Sequence, residues 1–427
     1  MASKILSFVL TAALAKVFVG SVVNASDWPQ YRGPNHDGSS SEKILTTWPA
    51  SGLAEVWKQP MTDGFSAISV GGGKAFTLEM REVDSAQQEV CVALDAKTGK
   101  ELWAVPLGIA KYDGGGDSGT PDNSGGDGPR STPTYNDGRV YTYSSRMLLK
   151  CLDAADGKQI WVADIKKDYA GRNIRWESAA SPLVEGNLVF VAGGGAGEAL
   201  LAFDKKDGHL VWKGQDDLMT QSTPVAATIL GTKQVIFFTQ QGLVSVVPET
   251  GAVLWRFPFP FAVATGISPV VCGDIVYCSA GYNVGTSACK ITKGADGFVA
   301  TQLWHQPAKV LANHWSTPVY SKGYIYGISG HAQYGKAPLV CVEATTGKVM
   351  WTRAGFGPGG CTLVDDCVLV LSDAGDLVLV KATPSEYTEV ARSHVLAGKC
   401  WNAASVSNGK IYARSTREGA SLDVSLR

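Results

Sequence analysis

Residues 93–103 read ALDAKTGKELW, and residues 151–161 read CLDAADGKQIW. The phrase returns at 202–212 (AFDKKDGHLVW), 245–255 (SVVPETGAVLW) and 341–351 (CVEATTGKVMW). A sixth copy, 289–304, is longer by five residues. The closing Trp residues fall 43 to 58 positions apart. Self-similarity at that period marks a repeat architecture and decides the fold before any propensity argument.

Each phrase has an upstream partner. Pro133, Pro182, Pro269 and Pro318 are each followed eight positions later by an aromatic residue: Tyr141, Phe190, Tyr277 and Tyr326. Pro224 opens a looser copy carrying an insertion. Three further copies lack the Pro: Ile68 with Phe76, Thr362 with Val370, and Ala404 with Tyr412. The turns inside these units read NDG, EGN, CGD, SKG and SNG. Such residues supply the positive φ angles of tight hairpins. The flanking runs are β-branched and aromatic, as strands prefer. No long stretch carries a 3.6-residue apolar period. One repeat therefore predicts a four-stranded antiparallel meander, and eight such sheets predict an all-β, eight-bladed propeller. Seven blades is the competing count, because the repeat at 362–392 has lost its Trp and its Thr–Gly turn.

The eighth repeat reaches a third strand near 421–424 (SLDV). Its fourth strand has a candidate at 53–57 (LAEVW). Pairing of the two would close the ring and remove an exposed edge. Trp57, Trp103, Trp161, Trp212, Trp255, Trp304 and Trp351 then read as packing between blades, with the turn Gly letting each indole approach.

A net charge of −1 gives no case for nucleic acid, and no basic run interleaves with aromatics. Residues 1–25 read as a secretory signal: Lys4, an apolar stretch at 5–14, and a small-residue cleavage site before Ser26. Lys16 interrupts the apolar run, against a transmembrane anchor. No Cys lies near the cleavage site, which excludes lipid attachment there. The expectation is a monomer, extracytoplasmic (periplasmic or secreted) after cleavage near Ala25. An arm at 26–52 precedes one propeller domain at 53–427. The arm should lie across the propeller surface, with Trp28 and Trp48 as anchors. Nine Cys residues show neither metal-ligand spacing nor a disulfide pattern; Cys151, Cys289 and Cys341 stand where sister repeats have Ala or Ser. The Asp/Gly-rich segment 113–127 is expected to be a solvated insertion, with calcium binding left open.

The Asp–x–x–Thr–Gly–x–x–x–Trp ending resembles the pyrroloquinoline-quinone (PQQ) repeat family over about residues 53–424. That family includes eight-bladed quinoprotein alcohol dehydrogenases. It also includes a propeller lipoprotein of the outer-membrane barrel-assembly machinery that carries no quinone. The stretches 27–35 (DWPQYRGPN) and 128–133 (GPRSTP) are similar to secreted PQQ-repeat propellers of environmental bacteria. A quinoprotein dehydrogenase would imply a vicinal Cys–Cys disulfide, Ca²⁺ held by Glu and Asn, and an Asp base. No two Cys are adjacent here, and no position carries the base or the Ca²⁺ ligands. No cofactor and no catalytic residue is therefore expected; PQQ with calcium belongs to the alternative, a diverged dehydrogenase.

In a propeller the residues just before each inner strand ring one mouth of the channel. Stepping back three from each marker gives Phe65, Arg130, Ala179, Gln221, Gly266, Trp315, Gly359 and Trp401. Trp176, Glu177, His314 and Asn402 lie at the same level. The candidate ligand site is thus Phe65, Arg130, Trp176, Glu177, Gln221, His314, Trp315, Trp401 and Asn402, with Gly359 as a gap between the two Trp residues. An aromatic wall with polar handles suits a glycan, a small ligand or a peptide side chain. The same rings could equally cover the channel and pack under loops. The functional expectation is a non-catalytic exported propeller binding a ligand or an envelope protein at this mouth. A third reading is an envelope scaffold like the barrel-assembly propeller.

Overall fold

The computed structural model describes residues 26–109, 128–330 and 337–426. Both the segment read as a secretory signal and the loop 113–127 lie outside the described residues.

Eight antiparallel sheets of four strands each succeed one another along the chain. Blade 1 runs from Ser69–Gly71 to Glu101–Ile109, and blade 2 from Thr134–Asn136 to Gln159–Asp164. Blades 3 to 7 begin at Leu183–Glu185, Val225–Ile229, Val270–Cys272, Val319–Ser321 and Gly360–Val364. The only α-helix among the described residues is the four-residue Ile165–Asp168. The inner hairpins use the predicted turns: Asp137 and Gly138 both have positive φ, as do Asn408 and Gly409. Two consecutive positive φ values match the right-handed twist of the flanking strands.

Blade 8 is built from both ends of the chain. Its outer strand, Ala54–Pro60, pairs antiparallel with Glu418–Asp423, placing Trp57 opposite Ser421. Eight blades, not seven, therefore make the ring. The closure carries a buried cation: Arg414 donates from Nη1 to Leu78 O (2.6 Å) and to Thr77 Oγ1 (3.0 Å), and from Nη2 to Thr62 O (2.8 Å). Blade 8 is thus tied to blade 1 by side chain as well as by strand.

The periodic Trp residues seat against the next blade's turn. A Cβ on Gly99, Gly157, Gly208, Gly251 or Gly347 would come within 2.9 Å of the indole of Trp57, Trp103, Trp161, Trp212 or Trp304 respectively. Each of these indoles also donates Nε1 to a carbonyl of that blade, such as Trp103 to Ala154 O at 3.1 Å. The marker aromatic of its own blade sits behind it, as Phe190 does behind Trp212 with centroids 6.0 Å apart. The pattern changes where the receiving turn changes. Trp255 faces the lengthened hairpin of blade 5 and donates to Gln234 in its own blade, at 2.7 Å. Blade 7 carries Arg392 at the Trp position, opposite Val378. Its neighbour is blade 8, whose third and fourth strands come from opposite ends of the chain. No turn joins them, so no glycine seat exists for an indole.

The arm departs from the expectation of a surface strap. It enters one end of the channel. Asp27 Oδ2 accepts from Gly72 N, Trp28 O from Val70 N, and Pro29 O from Tyr135 N. Ser39–Ser40 then adds a parallel strand inside blade 7, with Ser39 opposite Leu363. Arg32 is buried and donates to Thr317 O (3.1 Å), Pro318 O (2.7 Å) and Asp37 O (2.6 Å). Gly72 lies at the hairpin turn of blade 1, whereas Arg32 reaches further in, to carbonyls just before the inner strand of blade 6, so the arm fills one end of the channel and lines its cavity.

Candidate functional site: a one-mouthed channel cavity

The inner strands are short and their approach segments converge at the end opposite the arm. They enclose a cavity of about 400 Å³. All eight residues three positions before the markers line it: Phe65, Arg130, Ala179, Gln221, Gly266, Trp315, Gly359 and Trp401. Trp176, His314 and Asn402 also line it. Glu177 does not; its carboxylate is buried behind the wall, bonded by Asn173 Nδ2 and 3.8 Å from Arg146 Nη1. It contributes to the wall by its backbone, because Glu177 O accepts from Gln221 Nε2 at 2.8 Å.

The aromatic residues form a continuous wall. Phe65 stacks on Trp401 at 4.9 Å and 20°, and Trp401 meets Trp315 at 4.8 Å and 31°. His314 lies edge-on to Trp315 at 4.8 Å, and Tyr282 lies edge-on to His314 at 4.9 Å. The expected gap at Gly359 does not exist. The two indoles meet across blade 7, and Trp315 Nε1 donates to Pro358 O at 3.1 Å. Blade 7 enters the ring through Gly359–Gly360, where a Cβ would strike Leu371 O or Asn402 O. The Gly residues therefore let neighbouring backbone and rings close in, instead of leaving space.

A layer of small hydroxyls lies one position before the markers, and the sequence reading missed it. Ala67 N donates to Thr132 Oγ1 (3.1 Å), Thr132 N to Ser181 Oγ (2.9 Å), and Ser181 N to Thr223 Oγ1 (2.8 Å). Ser268 N donates likewise to Thr317 Oγ1 (3.0 Å). At these four junctions the backbone of one blade is thus satisfied by the side chain of the next, while Ser268 Oγ donates back to Thr223 O at 2.8 Å. The available signal was the Ser or Thr preceding each marker Pro. Asn313 was also missed. Its N–H donates to Ser279 Oγ (2.7 Å), its Nδ2 donates to Ile328 O (2.5 Å), and its Oδ1 accepts from Tyr277 OH, fixing the approach to His314 and Trp315.

Charge in the lining is one-sided. Arg32, Arg130 and Lys399 contribute, and no Asp or Glu does among the described residues. Arg32 belongs to the arm and is engaged by carbonyls, as above. Arg130 Nη1 donates to Trp176 O at 2.5 Å and lies near buried Glu89. Burial pushes the Glu89 carboxyl up to about 7, against the opposing effects of Ser145 N and Arg130. Lys399 lies 5.0 Å from the Trp401 ring centroid, within cation–π reach. Asn402 Oδ1, Ser316 Oγ and the indole Nε1 atoms of Trp176 and Trp401 are buried without a hydrogen-bond partner among the described residues. An unmade bond at a buried polar atom costs about 1–3 kcal/mol. All nine Cys are buried and free, and burial raises the Cys361 thiol in the lining to about 12.

Comparison with known proteins fits this architecture. A family described as outer membrane protein assembly factor BamB matches residues 86–353. A curated relative, the outer membrane protein assembly factor BamB of Moranella endobia, is 25% identical over 288 residues. That match covers 64% of this chain and 70% of the relative. The crystal structure of BamB from Moraxella catarrhalis superposes with a TM-score of 0.61 at 16% identity, covering 88% of this chain and 98% of that one. Quinohemoprotein alcohol dehydrogenase from Comamonas testosteroni gives 0.65 at 14% identity, covering 95% and 82%. Identity at that level shows a shared fold alone.

The quinone and Ca²⁺ implied by the dehydrogenase likeness do not fit this lining. Cys361 has no adjacent Cys to form a vicinal disulfide. Among the described residues no lining carboxylate is present to ligate Ca²⁺ or act as a base. With its repeats, its eight blades and a family match over residues 86–353, the chain belongs to the BamB family of PQQ-repeat propellers.

Proposed function

We propose that this protein is a non-catalytic propeller of the bacterial envelope, a scaffold that holds a protein partner at the open mouth of its channel. The observation that carries the reading is the family match over residues 86–353, whose curated relative is named an outer membrane protein assembly factor. The cavity supports it: one mouth is preformed, apolar-walled and rimmed by polar groups, the arrangement of a recognition site. Its placement outside the cytoplasm is supported by the segment 1–25, which reads as a secretory signal. No helix among the described residues is long and apolar enough to cross a membrane.

A photocrosslinking residue at exposed Arg175, beside Trp176 at the mouth, tests the reading in cells. The expected adduct contains an outer-membrane assembly component and disappears on Trp315→Ala. A probe at Val299, on the outer hairpin of blade 5, should give no such adduct. Adducts absent at Arg175, or insensitive to Trp315→Ala, would overturn the proposal.

A further inference from the structure

We propose that the outer strand of blade 5, Gly297–Gln306, is a docking edge for a second copy of this chain, the two strands pairing antiparallel about a two-fold axis at Val299. The edge lies on the rim of the propeller and is independent of the channel mouth.

Each blade ends in an outer strand, and no further strand pairs with its far side among the described residues. Open backbone groups there are a template for pairing with another chain, which proteins block with charge or proline. Seven of the eight outer strands are blocked in this way. Blades 1 and 4 carry Pro106 and Pro258, and the other five carry charged residues such as Lys58 in blade 8 and Lys213 in blade 3. The blade 5 strand reads GFVATQLWHQ, with no Asp, Glu, Lys, Arg or Pro. At ten residues it is also the longest of the eight.

The edge is held in place before any partner arrives. It belongs to the lengthened hairpin, whose Lys293 Nζ donates to Thr232 Oγ1 of blade 4 at 3.2 Å. Phe298 and Ala300 pack against the core shared by blades 4 and 5. Val299 and Thr301 alternate with them and point away from that core. Both are exposed, Val299 by 57%. A preformed edge lowers the ordering cost of association.

The edge is complementary to itself. Antiparallel two-fold pairing sets each residue opposite one on the same face of the joined sheet. An axis at Val299 places Val299 against its own copy, Phe298 against Ala300, and Gly297 against Thr301. The β-branched pair is one that strands favour, and each of the other pairs matches a larger side chain with a smaller one. No like charges meet. The paired run, 297–301, stops short of the bulge at Leu303, where the register shifts between Gln302 and Trp304. With one open edge per chain, the contact is isologous and closes as a dimer instead of extending into a fibre. An interface this short gives a weak, concentration-dependent dimer.

Sedimentation velocity of the full processed protein over a broad concentration series tests this. Monomer should convert to dimer, with no larger species. Val299→Lys sets two ammonium groups face to face at the axis and should weaken association at least about tenfold. Its melting temperature should match the wild type, because the side chain is exposed. Val299→Cys should form a disulfide-linked dimer on mild oxidation. The nine native thiols are buried, so the introduced one reports alone. Leu102→Cys, 44% exposed on the Pro-blocked outer strand of blade 1, is the control and should crosslink far less. A monomer at every concentration, a dimer unaffected by Val299→Lys, or equal crosslinking of the two Cys variants would each overturn the inference. Trp315-dependent crosslinking at Arg175 is read separately, so the scaffold reading stands or falls by its own test.

Discussion

Trp315 and Trp401 lie with ring centroids 4.8 Å apart although blades 6 and 7 both lie between them in the chain. They meet because blade 7 reaches the mouth through Gly359 and Gly360, where the backbones of blades 7 and 8 leave no room for a Cβ. A bulky residue there would have kept the indoles apart. The aromatic wall is therefore a property of three blades together.

The Trp seats predict a graded response to methyl groups on glycine. Gly208 and Gly186 both have positive φ, but only Gly208 faces an indole, with a Cβ 2.5 Å from Trp161. Gly186→Ala should cost about 1 kcal/mol, from backbone strain alone. Gly208→Ala should cost about 1–3 kcal/mol more, because the overpacked interface must shift. Urea denaturation of the two variants checks the difference, and equal losses would remove the seat from the argument.

Arg414 should be a pin of ring closure. Replacing it with Leu leaves the carbonyls of Leu78 and Thr62 without this donor in a buried seam. Each lost partner costs about 1–3 kcal/mol. Arg414→Leu should lower the melting temperature and open the pairing of 54–60 with 418–423 first. Hydrogen exchange, read peptide by peptide, should show the earliest loss of protection at those two strands. Uniform loss across all blades would contradict it.

Glu89 should make stability depend on pH. Its folded pKa is raised to about 7 by burial, while the unfolded chain has an ordinary value near 4.5. Between those values the unfolded state has released the proton and the native state still holds it. Stability therefore falls as pH rises from about 4.5 to 7, then levels off. One titrating carboxyl limits the slope to about 1.4 kcal/mol for each pH step of one. Glu89→Gln keeps an acceptor for Ser145 N and should remove this slope. Chemical denaturation at pH 5, 6, 7 and 8 reads it directly; parallel wild-type and variant profiles would refute the assignment.

PQQ with Ca²⁺ should leave the melting temperature unchanged. A ligand that binds only the native state raises it by mass action. A reproducible rise requiring both PQQ and Ca²⁺ would place a quinone site in the cavity despite its lining.

Much of this was legible locally. Trp103, Trp161, Trp212 and Trp304 sit in seats whose glycine is spelled out in the following repeat, so one repeat and its neighbour define the interface. The missing Trp of blade 7 was legible as a loss but not as a consequence. Its cause, the open third-to-fourth-strand connection of blade 8, appears only when the termini pair. The cavity lining followed from counting back three residues from each marker. The hydroxyl layer two residues closer was hidden because Ser and Thr before Pro also suit turns.

By itself the sequence determined the repeat unit and the turns, and it pointed to eight blades and to a closing strand from the other end of the chain. These depend on alternation, glycine conformation and spacing, all written within one repeat length. Only the tertiary structure decided that the arm plugs the channel, that the indoles of Trp315 and Trp401 touch, and that Arg414 fastens the seam. Those contacts join distant residues: Tyr31 OH meets Thr317 Oγ1 across 286 positions, and Arg414 Nη1 meets Leu78 O across 336. No local pattern encodes such pairs, because they exist only after the ring closes and brings the first and last blades together.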